Sequence, residues 1–368
     1  FAGKKNEVIL IDVSMANLAS NNARQIYNQI PGLNIYQNDD AGLQLNIGGR
    51  GLNPNRTANF NTRQNNYDIS ADALGYPESY YTPPPEGLEE IQILRGAASL
   101  QYGTQFGGLI NFKIKDPKPE DIFELITRNT AGSNNLFTNF TSLSSSSKKS
   151  SYYGYVNYKK GDGFRPNSEF ESINTFQNFN YNLNEKSKIT GEITYMEYLA
   201  HQAGGLSDFM FANDPFQSNR ERNWFEIKWF LYNLKYLLEI SEDSSFSFSF
   251  FGLDAKRNSL GFRTNRVDQI DFGEERDLIK GEFKNFGFES RFLTNYSFLN
   301  KKSYLLLGAK YYNSFSESIQ GPGNNSKNAE FNFDYINFPN YVNQSEYIYP
   351  NYNFAFFGEN IFYLNDKV

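Results

Sequence analysis

The feature that most constrains this chain is a strict alternation of aromatic and polar residues over long segments. In SSFSFSF, the residues Phe246, Phe248 and Phe250 alternate with serines. Successive side chains of a β-strand point to opposite faces, so this pattern predicts a strand with one apolar and one polar face. The segment NFGFESRFLTNYSF, residues 285–298, continues the alternation well beyond the five or six residues of an ordinary strand. The sequence therefore predicts long, two-faced strands.

About ten such strands follow residue 117, and they are joined alternately by short turns and by long polar loops. The short turns fall at Asn184-Glu185, Ser241–Ser244 and Asn300–Lys302. A soluble β-sandwich explains one or two strands of this kind. Many long strands with short turns at one end and long loops at the other favour an antiparallel transmembrane β-barrel, and closure of a barrel removes exposed strand edges. We therefore predict a mainly β fold, with the phenylalanine rows facing lipid.

Composition excludes several other classes of protein. No run approaches the ~18 apolar residues of a membrane-spanning helix. The net charge of -6 argues against a nucleic-acid partner, which would require a concentrated basic face. The chain has no cysteine and a single histidine, His201, so it offers neither a thiolate site nor a histidine cluster. The composition thus predicts no protein-bound metal and no resident cofactor.

Residues 1–117 follow a different pattern, which is typical of a small mixed α/β unit. SNNARQIYNQIPG predicts a helix capped by Ser20, with Ile26, Tyr27 and Ile30 on one face and Pro31-Gly32 as its end. Loops rich in Gly, Asn and Pro separate the short segments around it. Strands are predicted at Leu33–Tyr36, Leu43–Ile47, Tyr67–Ile69, Glu90–Leu94 and Leu109–Ile114.

Several long motifs in this region carry a family resemblance. IPGLNI, IGGRGLNPNR and GYPESYYTPPPEGLEEIQILRGAASLQYGTQFGGLINF closely resemble the plug domain of TonB-dependent outer-membrane transporters, in particular the ferric citrate receptor-like branch. The later segment Gln202–Phe225, QAGGLSDFMFANDPFQSNRERNWF, is similar to an outer loop of the same branch. The resemblance covers residues 1–117 and recurs in the strand region.

The resemblance implies a plug at residues 1–117 inside a β-barrel that begins at residue 118 and continues to residue 368. The glycine-rich stretch that starts at Arg95 and Gly96 would then lie at the plug–barrel interface, where small residues permit close approach of the backbone. About ten strands are only the first half of the ~22 that such a barrel needs. The sequence starts at Phe1, without the upstream segment that carries the coupling box in this family, and Val368 is not the usual terminal aromatic residue. We therefore expect this chain to be a fragment that holds the plug and part of the barrel.

The residues do not predict catalysis. A Ser–His–acid triad would have to use His201, which lies in a polar loop without a G-x-S-x-G turn. The pairs Glu89-Glu90 and Glu274-Glu275 are more simply solvated charges. GGRGLNPNR lacks the lysine and the helix of a phosphate-binding loop.

Binding is better supported by the loops between residues 53 and 81. Arginine forms planar, bidentate contacts with carboxylates, and tyrosine adds rigid contact area with a polar tip. The alternative is that these side chains only hold the loops together. Loop arginines at 220, 222, 257, 263 and 266 would add positive potential above the plug. The predicted ligand-binding residues are Asn53, Arg56, Arg63, Gln64, Tyr76, Tyr80 and Tyr81.

The function implied by the resemblance is active, TonB-dependent import of a ferric chelate across the bacterial outer membrane. Ferric citrate or another carboxylate siderophore fits best, because citrate itself coordinates the iron. The implied partners are the chelate, the TonB–ExbB–ExbD energy-coupling complex and outer-membrane lipid. Another siderophore, haem or a carbohydrate remains an alternative ligand. A passive porin or an adhesive barrel is a further alternative, against which the separate plug weighs.

Overall fold

The computed structural model describes residues 6–10, 18–19, 24–28, 30–37, 39, 42, 45–49, 51–94, 102, 108–117, 122–264 and 266–362. These residues fold mainly into two large sheets, a five-stranded one near the N-terminus and a ten-stranded one after it.

The five-stranded sheet has the order β1-β6-β7-β4-β5, in which β4 and β7 are parallel and the other neighbours are antiparallel. The strands β2 and β3 form a separate hairpin. The elements of this N-terminal unit are β1 (Asn6–Leu10), α1 (Arg24–Tyr27), β2 (Leu33–Gln37), β3 (Leu45–Gly49), β4 (Phe60–Gln64), β5 (Tyr67–Asp68), β6 (Leu88–Leu94) and β7 (Gly108–Ile114).

Four of the five strands predicted here, β2, β5, β6 and β7, are confirmed. The fifth, β3, is confirmed from Leu45 onward, and the first two residues predicted for it, Leu43 and Gln44, lie outside the described residues. The helix is confirmed at α1, while its predicted cap Ser20 lies outside the described residues. The strands β1 and β4 were not predicted. The sequence of β4, FNTRQ, is too polar to be recognised as a buried strand from its pattern, although all five residues are buried.

The ten-stranded sheet, called the wall below, is a meander in which each strand pairs antiparallel with the next. A short helix, α2, lies in the long loop after β12, and the predicted short turns join β11 to β12, β13 to β14 and β15 to β16. The elements are β8 (Phe123–Ala131), β9 (Phe137–Ser146), β10 (Ser150–Gly161), β11 (Phe170–Asn184), β12 (Ser187–His201), α2 (Asp208–Asn213), β13 (Trp224–Ser241), β14 (Ser244–Gly261), β15 (Arg276–Phe298), β16 (Lys301–Gly323) and β17 (Ser345–Ile361).

One face of the wall packs against the N-terminal unit. The side chain of Asn285 donates to the backbone carbonyls of Ser70 and Ala71, at 3.3 and 2.9 Å. Asn65 donates to Glu192 at 2.7 Å. A buried apolar cluster also runs through both parts of the molecule. The last strand of the N-terminal unit ends at Ile114, and the first strand of the wall begins at Phe123. The predicted domain boundary at residue 117 lies between them and stays a prediction.

The phenylalanine rows lie on the opposite face. Phe250 stacks on Phe288 with ring centroids 5.0 Å apart, and Phe248 lies 5.9 Å from the same ring. Their neighbour Ser249 instead donates to Asn233, which belongs to the inward row. The separation of faces that the alternation predicts is confirmed, because the polar row meets the N-terminal unit.

Charged residues on this outward face are concentrated away from the short turns. One cross-strand row from β12 to β16 consists entirely of charged residues: Glu197, Lys228, Lys256, Glu282 and Glu317. Toward the short turns, the four outward rows that begin at Ile193, Gly191, Ile189 and Ser187 contain no charged residue in the same five strands. These four rows span about 20 Å along a strand. No helix among the described residues is long and apolar enough to cross a bilayer.

Candidate ligand-binding site

A cleft of about 420 Å³ lies where the N-terminal unit meets the long-loop ends of β13 and β14. Its described lining contains no aspartate or glutamate. Backbone and polar groups of the loops 202–223 and 262–264 form much of the rest. Five arginines line it: Arg56, Arg220, Arg257, Arg263 and Arg266. We call this the arginine cleft.

Arg56 reaches the cleft from a 3-10 turn, Asn55–Thr57, in the N-terminal unit. Arg56 and Thr57 both have left-handed backbone angles, with φ of 53° and 59°, a conformation that costs free energy for residues other than glycine. Two contacts with β3 hold the turn. The N–H of Arg56 donates to the side chain of Asn46 at 2.6 Å, and the N–H of Ile47 donates to the Thr57 hydroxyl at 3.2 Å.

A small network fixes the Arg56 side chain. Its guanidinium lies 3.1 Å from Glu78 and donates to the Tyr76 hydroxyl at 3.4 Å. Tyr80 donates to the other oxygen of Glu78 at 2.5 Å. Burial by itself would lower the pKa of Arg56, but Tyr80 and Glu78 outweigh it and the pKa rises above its usual value. Arg56 is therefore permanently charged.

The wall contributes Arg257 from β14. Its side chain is buried and donates to Tyr76 at 3.0 Å. The guanidinium also lies 5.9 Å from the centre of the Tyr80 ring. Its Nε atom is buried and has no hydrogen-bond partner among the described residues. A buried, unsatisfied donor on a cation is costly, and Arg257 carries this cost while it lines the cleft.

Arg263 lies two residues after the end of β14 and donates to the Ser259 hydroxyl at 2.9 Å. Desolvation lowers the pKa of Arg263, Asp277 acts in the opposite direction, and the charges of Arg257 and Arg56 lower it further. Three guanidinium groups thus repel one another across one cleft. An anion placed between them would relieve that repulsion.

Two other loop arginines shape the cleft. Arg220 donates to the backbone carbonyls of Asn219, Val267 and Gln269, at 2.6, 3.2 and 3.2 Å. It thereby joins the loops 202–223 and 262–275. Arg266 is paired with Asp268 at 2.7 Å on the surface.

The remaining predicted loop arginine, Arg222, does not line the cleft. It forms an ion pair with Asp271 and donates to the carbonyl oxygens of Glu274 and Asn325, at 2.8 and 3.1 Å. The fully buried Arg276 was not predicted at all. It donates to the carbonyls of Asn324 and Asn328, at 2.8 and 2.9 Å. These two arginines hold three outer loops together.

Comparison with known proteins identifies the N-terminal unit. Residues 12–109 match the family model described as the TonB-dependent receptor plug domain. The N-terminal unit is a TonB-dependent receptor plug. Plug and wall together have the fold of such receptors.

Solved structures show how far this similarity extends. The ferric citrate transporter FecA in its unliganded form shares 18% identity with this chain at a TM-score of 0.77, over 97% of this chain and 53% of that one. The ferripyoverdine receptor of the outer membrane of Pseudomonas aeruginosa, bound to ferripyoverdine, shares 15% identity at a TM-score of 0.75. The match covers 98% of this chain and 50% of that one. The ferric enterobactin receptor PfeA of Pseudomonas aeruginosa, in a mutant form, shares 14% identity at a TM-score of 0.61. The match covers 87% of this chain and 54% of that one. The chain spans about half the length of these receptors, and none of the curated protein sequences matches it.

The seven predicted ligand-binding residues divide into two groups. Arg56 lines the cleft, and Tyr76 and Tyr80 support its arginines from the plug. The other four, Asn53, Arg63, Gln64 and Tyr81, do not line it. Asn53 stabilises its own loop by accepting from Asn55 and Asn59, at 3.0 and 2.9 Å.

Arg63, Gln64 and Tyr81 lie instead at the contact between plug and wall. Arg63 is fully buried, 3.5 Å from Glu289 of β15. Gln64 donates to Thr194 of β12 at 2.9 Å and accepts from Tyr81 at 2.9 Å. This geometry favours a structural role for the three side chains, and their contact with ligand stays a prediction. Arg95 and Gly96, predicted for the same interface, lie outside the described residues.

Proposed function

We propose that the protein containing this chain is a TonB-dependent receptor that imports a ferric chelate rich in carboxylates, with ferric citrate as the first candidate. The observation that supports this most is the arginine cleft. Arg56, Arg257 and Arg263 converge there without an acidic residue in the described lining.

The chemistry of the cleft suits such a ligand. Guanidinium groups bind carboxylates through paired, charge-assisted hydrogen bonds. Citrate supplies the oxygen ligands of iron itself, so the receptor has only to recognise an anion. The buried Nε of Arg257 offers a donor that still lacks an acceptor among the described residues. One of the similar structures is that of a ferric citrate transporter, FecA.

Location and energy coupling complete the proposal. The four uncharged outward rows would face outer-membrane lipid, and the charged row above them would lie at the membrane surface. The plug would respond to TonB, which draws on the inner-membrane proton gradient through ExbB and ExbD. The protein would act by binding and transport, not by catalysis.

The test is equilibrium titration of the full-length protein with ferric citrate. Arg257→Ala should weaken binding by at least about tenfold, which corresponds to roughly 1.5 kcal/mol for a charge-assisted hydrogen bond. Lys256→Ala is a matched control, because Lys256 is the preceding residue of the same strand, points outward and pairs with Glu282 at 2.9 Å. It should bind like the parent.

Two further titrations separate direct contact from simple attraction. Arg263→Lys should recover only part of the affinity that Arg263→Ala loses, because an ammonium keeps the charge but not the planar fork. Loss of long-range attraction alone would instead slow association and disappear at high salt. A neutral ferric hydroxamate complex should bind parent and variants equally weakly. Equal affinity of Arg257→Ala and parent for ferric citrate would contradict the proposed ligand.

A further inference from the structure

The only histidine of the chain, His201, lies at the outer end of β12 in an unusual set of contacts. Its Nδ1 atom is 2.7 Å from a carboxylate oxygen of Glu169, and its Nε2 atom is 2.9 Å from the backbone carbonyl of Glu221. Its ring stacks on the indole of Trp224 with centroids 4.1 Å apart and planes 7° from parallel. The residue is buried, with 8% of its surface exposed.

These contacts specify a protonation state. A carboxylate oxygen and a carbonyl oxygen are both acceptors, so each ring nitrogen has to donate. A neutral imidazole carries one N–H and would turn a lone pair toward one of the two oxygens. Only the imidazolium satisfies both contacts, and a cation stacked on tryptophan gains further attraction. The geometry therefore matches a charged His201.

Charged groups of both signs surround the ring, and the assignment rests on its two acceptors. The carboxylate of Glu221 pairs with Lys327 at 2.5 Å. The backbone carbonyl of Lys327 accepts from the Trp224 indole N–H at 2.8 Å. On the same outward face, Glu171 and Glu226 both pair with Leu199, two residues before His201. Both of these carboxylates have basic neighbours, because Lys228 lies 3.4 Å from Glu226 and Lys160 pairs with Glu171 across β10 and β11.

The clamp formed by His201, Glu169 and the Glu221 carbonyl lies directly behind the arginine cleft. His201 and Trp224 face each other across the last rung between β12 and β13. The next rung is Gln202 and Asn223, joined by a backbone hydrogen bond of 2.8 Å. Both of these residues line the cleft. The clamp therefore closes the base of the loop 202–223, which carries Arg220.

We propose that His201 is a positioning residue of the arginine cleft, and that as an imidazolium it holds the base of the loop 202–223 in the arrangement that binds the ligand. The inference rests on the proposed function for the identity of that ligand. Deprotonation removes one of the two hydrogen bonds and loosens the base of the loop. Ligand binding should accordingly be weaker when the ring is neutral than when it is charged.

The first test needs no ligand. Nitrogen and carbon NMR signals of the ring, assigned in the full-length protein by their loss in His201→Gln, should show both ring nitrogens protonated at about pH 6. Hydrogen exchange of residues 202–223, corrected for the intrinsic effect of pH, should be slower at about pH 6 than at about pH 8.5 in the parent. His201→Gln and Glu169→Gln should exchange rapidly at both. A neutral ring at the lower pH, or exchange in the parent that does not change with pH, would overturn the proposal.

The second test uses ferric citrate as the probe and compares parent with His201→Gln at each pH, so that changes in the ligand cancel. The ratio of their affinities should be about fivefold at the lower pH, the order expected from one hydrogen bond, and should approach one at the higher pH. A ratio that does not vary with pH would contradict a positioning role for the charged ring. If the parent does not bind ferric citrate at all, the proposed function fails, and the NMR and exchange measurements alone decide the clamp.

Discussion

Tyr76 of the plug and Arg257 of the wall are joined by a hydrogen bond of 3.0 Å, and the same phenol oxygen accepts from Arg56 at 3.4 Å. The Tyr76 ring also stacks on Phe283 of β15 with centroids 5.1 Å apart. One side chain of the plug therefore holds two arginines of the cleft in register. The positions of these cations depend on how the plug is seated in the wall.

Replacement of Tyr76 by Phe should separate the contribution of its hydroxyl hydrogen bonds from that of its stacked ring. The ring contact with Phe283 remains, but both arginines lose their shared acceptor. We expect the unfolding free energy to fall by about 1 kcal/mol and hydrogen exchange around residues 55–57 to accelerate. Tyr181→Phe, in an exposed residue of β11, serves as the control and should change neither. Unaltered exchange in Tyr76→Phe would mean that the stacked ring alone positions the turn.

Gly87 is a second point at which plug and wall meet closely. A Cβ atom at this position would lie 2.7 Å from a ring carbon of the buried Tyr155. Gly87→Ala should therefore force plug and wall apart and destabilise the protein by about 1–3 kcal/mol, as overpacking does. Gly191→Ala in β12 is the matched control, because a Cβ there meets nothing within 4 Å. Thermal unfolding of both variants in the same detergent tests the difference, and equal midpoints would show that Tyr155 moves aside freely.

The outward phenylalanine rows make a prediction about lipid. Phe248→Arg should destabilise the complete protein in a bilayer by about 2–4 kcal/mol, the cost of a cation near the bilayer midplane. Phe248→Leu keeps the position apolar and should cost far less. Folding titrations in lipid vesicles measure both. If the arginine variant were as stable as the leucine variant, this face would not contact hydrocarbon.

The outer loops should be sensitive to acid through Asp271. Burial would raise the pKa of Asp271, but hydrogen bonds from Arg222 and from the N–H of Gly273 outweigh it, and the pKa is lowered overall. An unfolded aspartate has a pKa of about 3.9. Stabilisation by this ion pair is therefore complete above that value and is lost as the pH falls through the lower pKa of the folded state.

Pepsin cleavage offers a direct measurement of this loss. The loops of the parent should resist cleavage at about pH 4.5 and become susceptible at lower pH, as the carboxylate is protonated. Asp271→Asn should be cleaved rapidly across the whole range, and Asp268→Asn, which removes only a surface partner of Arg266, should behave like the parent. An acid transition that persists in Asp271→Asn would assign it to other carboxylates.

Sequence reasoning succeeded where a local pattern determines the structure. Alternation with a period of two fixes which side chains share a face, so the inward and outward rows of β14 and β15 were predictable without knowledge of the fold. The plug motifs were long enough to identify the unit at residues 12–109.

The assignment of individual side chains was less successful, because their partners are distant in sequence. Arg63 and Arg56 lie in similar polar segments, yet Arg63 is buried beside Glu289 of the wall while Arg56 reaches the cleft. The polar strand β4 is buried because the wall supplies Thr194 and Glu289 as partners. Nothing local distinguishes Arg276 from a surface arginine. Only the folded loops bring carbonyl oxygens to it.

The two faces of the wall also place different limits on how its sequence can diverge. Outward positions such as Phe248 and Phe288 have only to remain apolar, so Leu, Ile or Tyr can replace them one at a time. Inward positions such as Asn285 and Thr194 meet particular atoms of the plug, and a change there requires a matching change at the other end of the chain. Substitutions should therefore accumulate at two rates along each strand, in alternate positions, and related receptors can keep one shape after most of their identities have been exchanged.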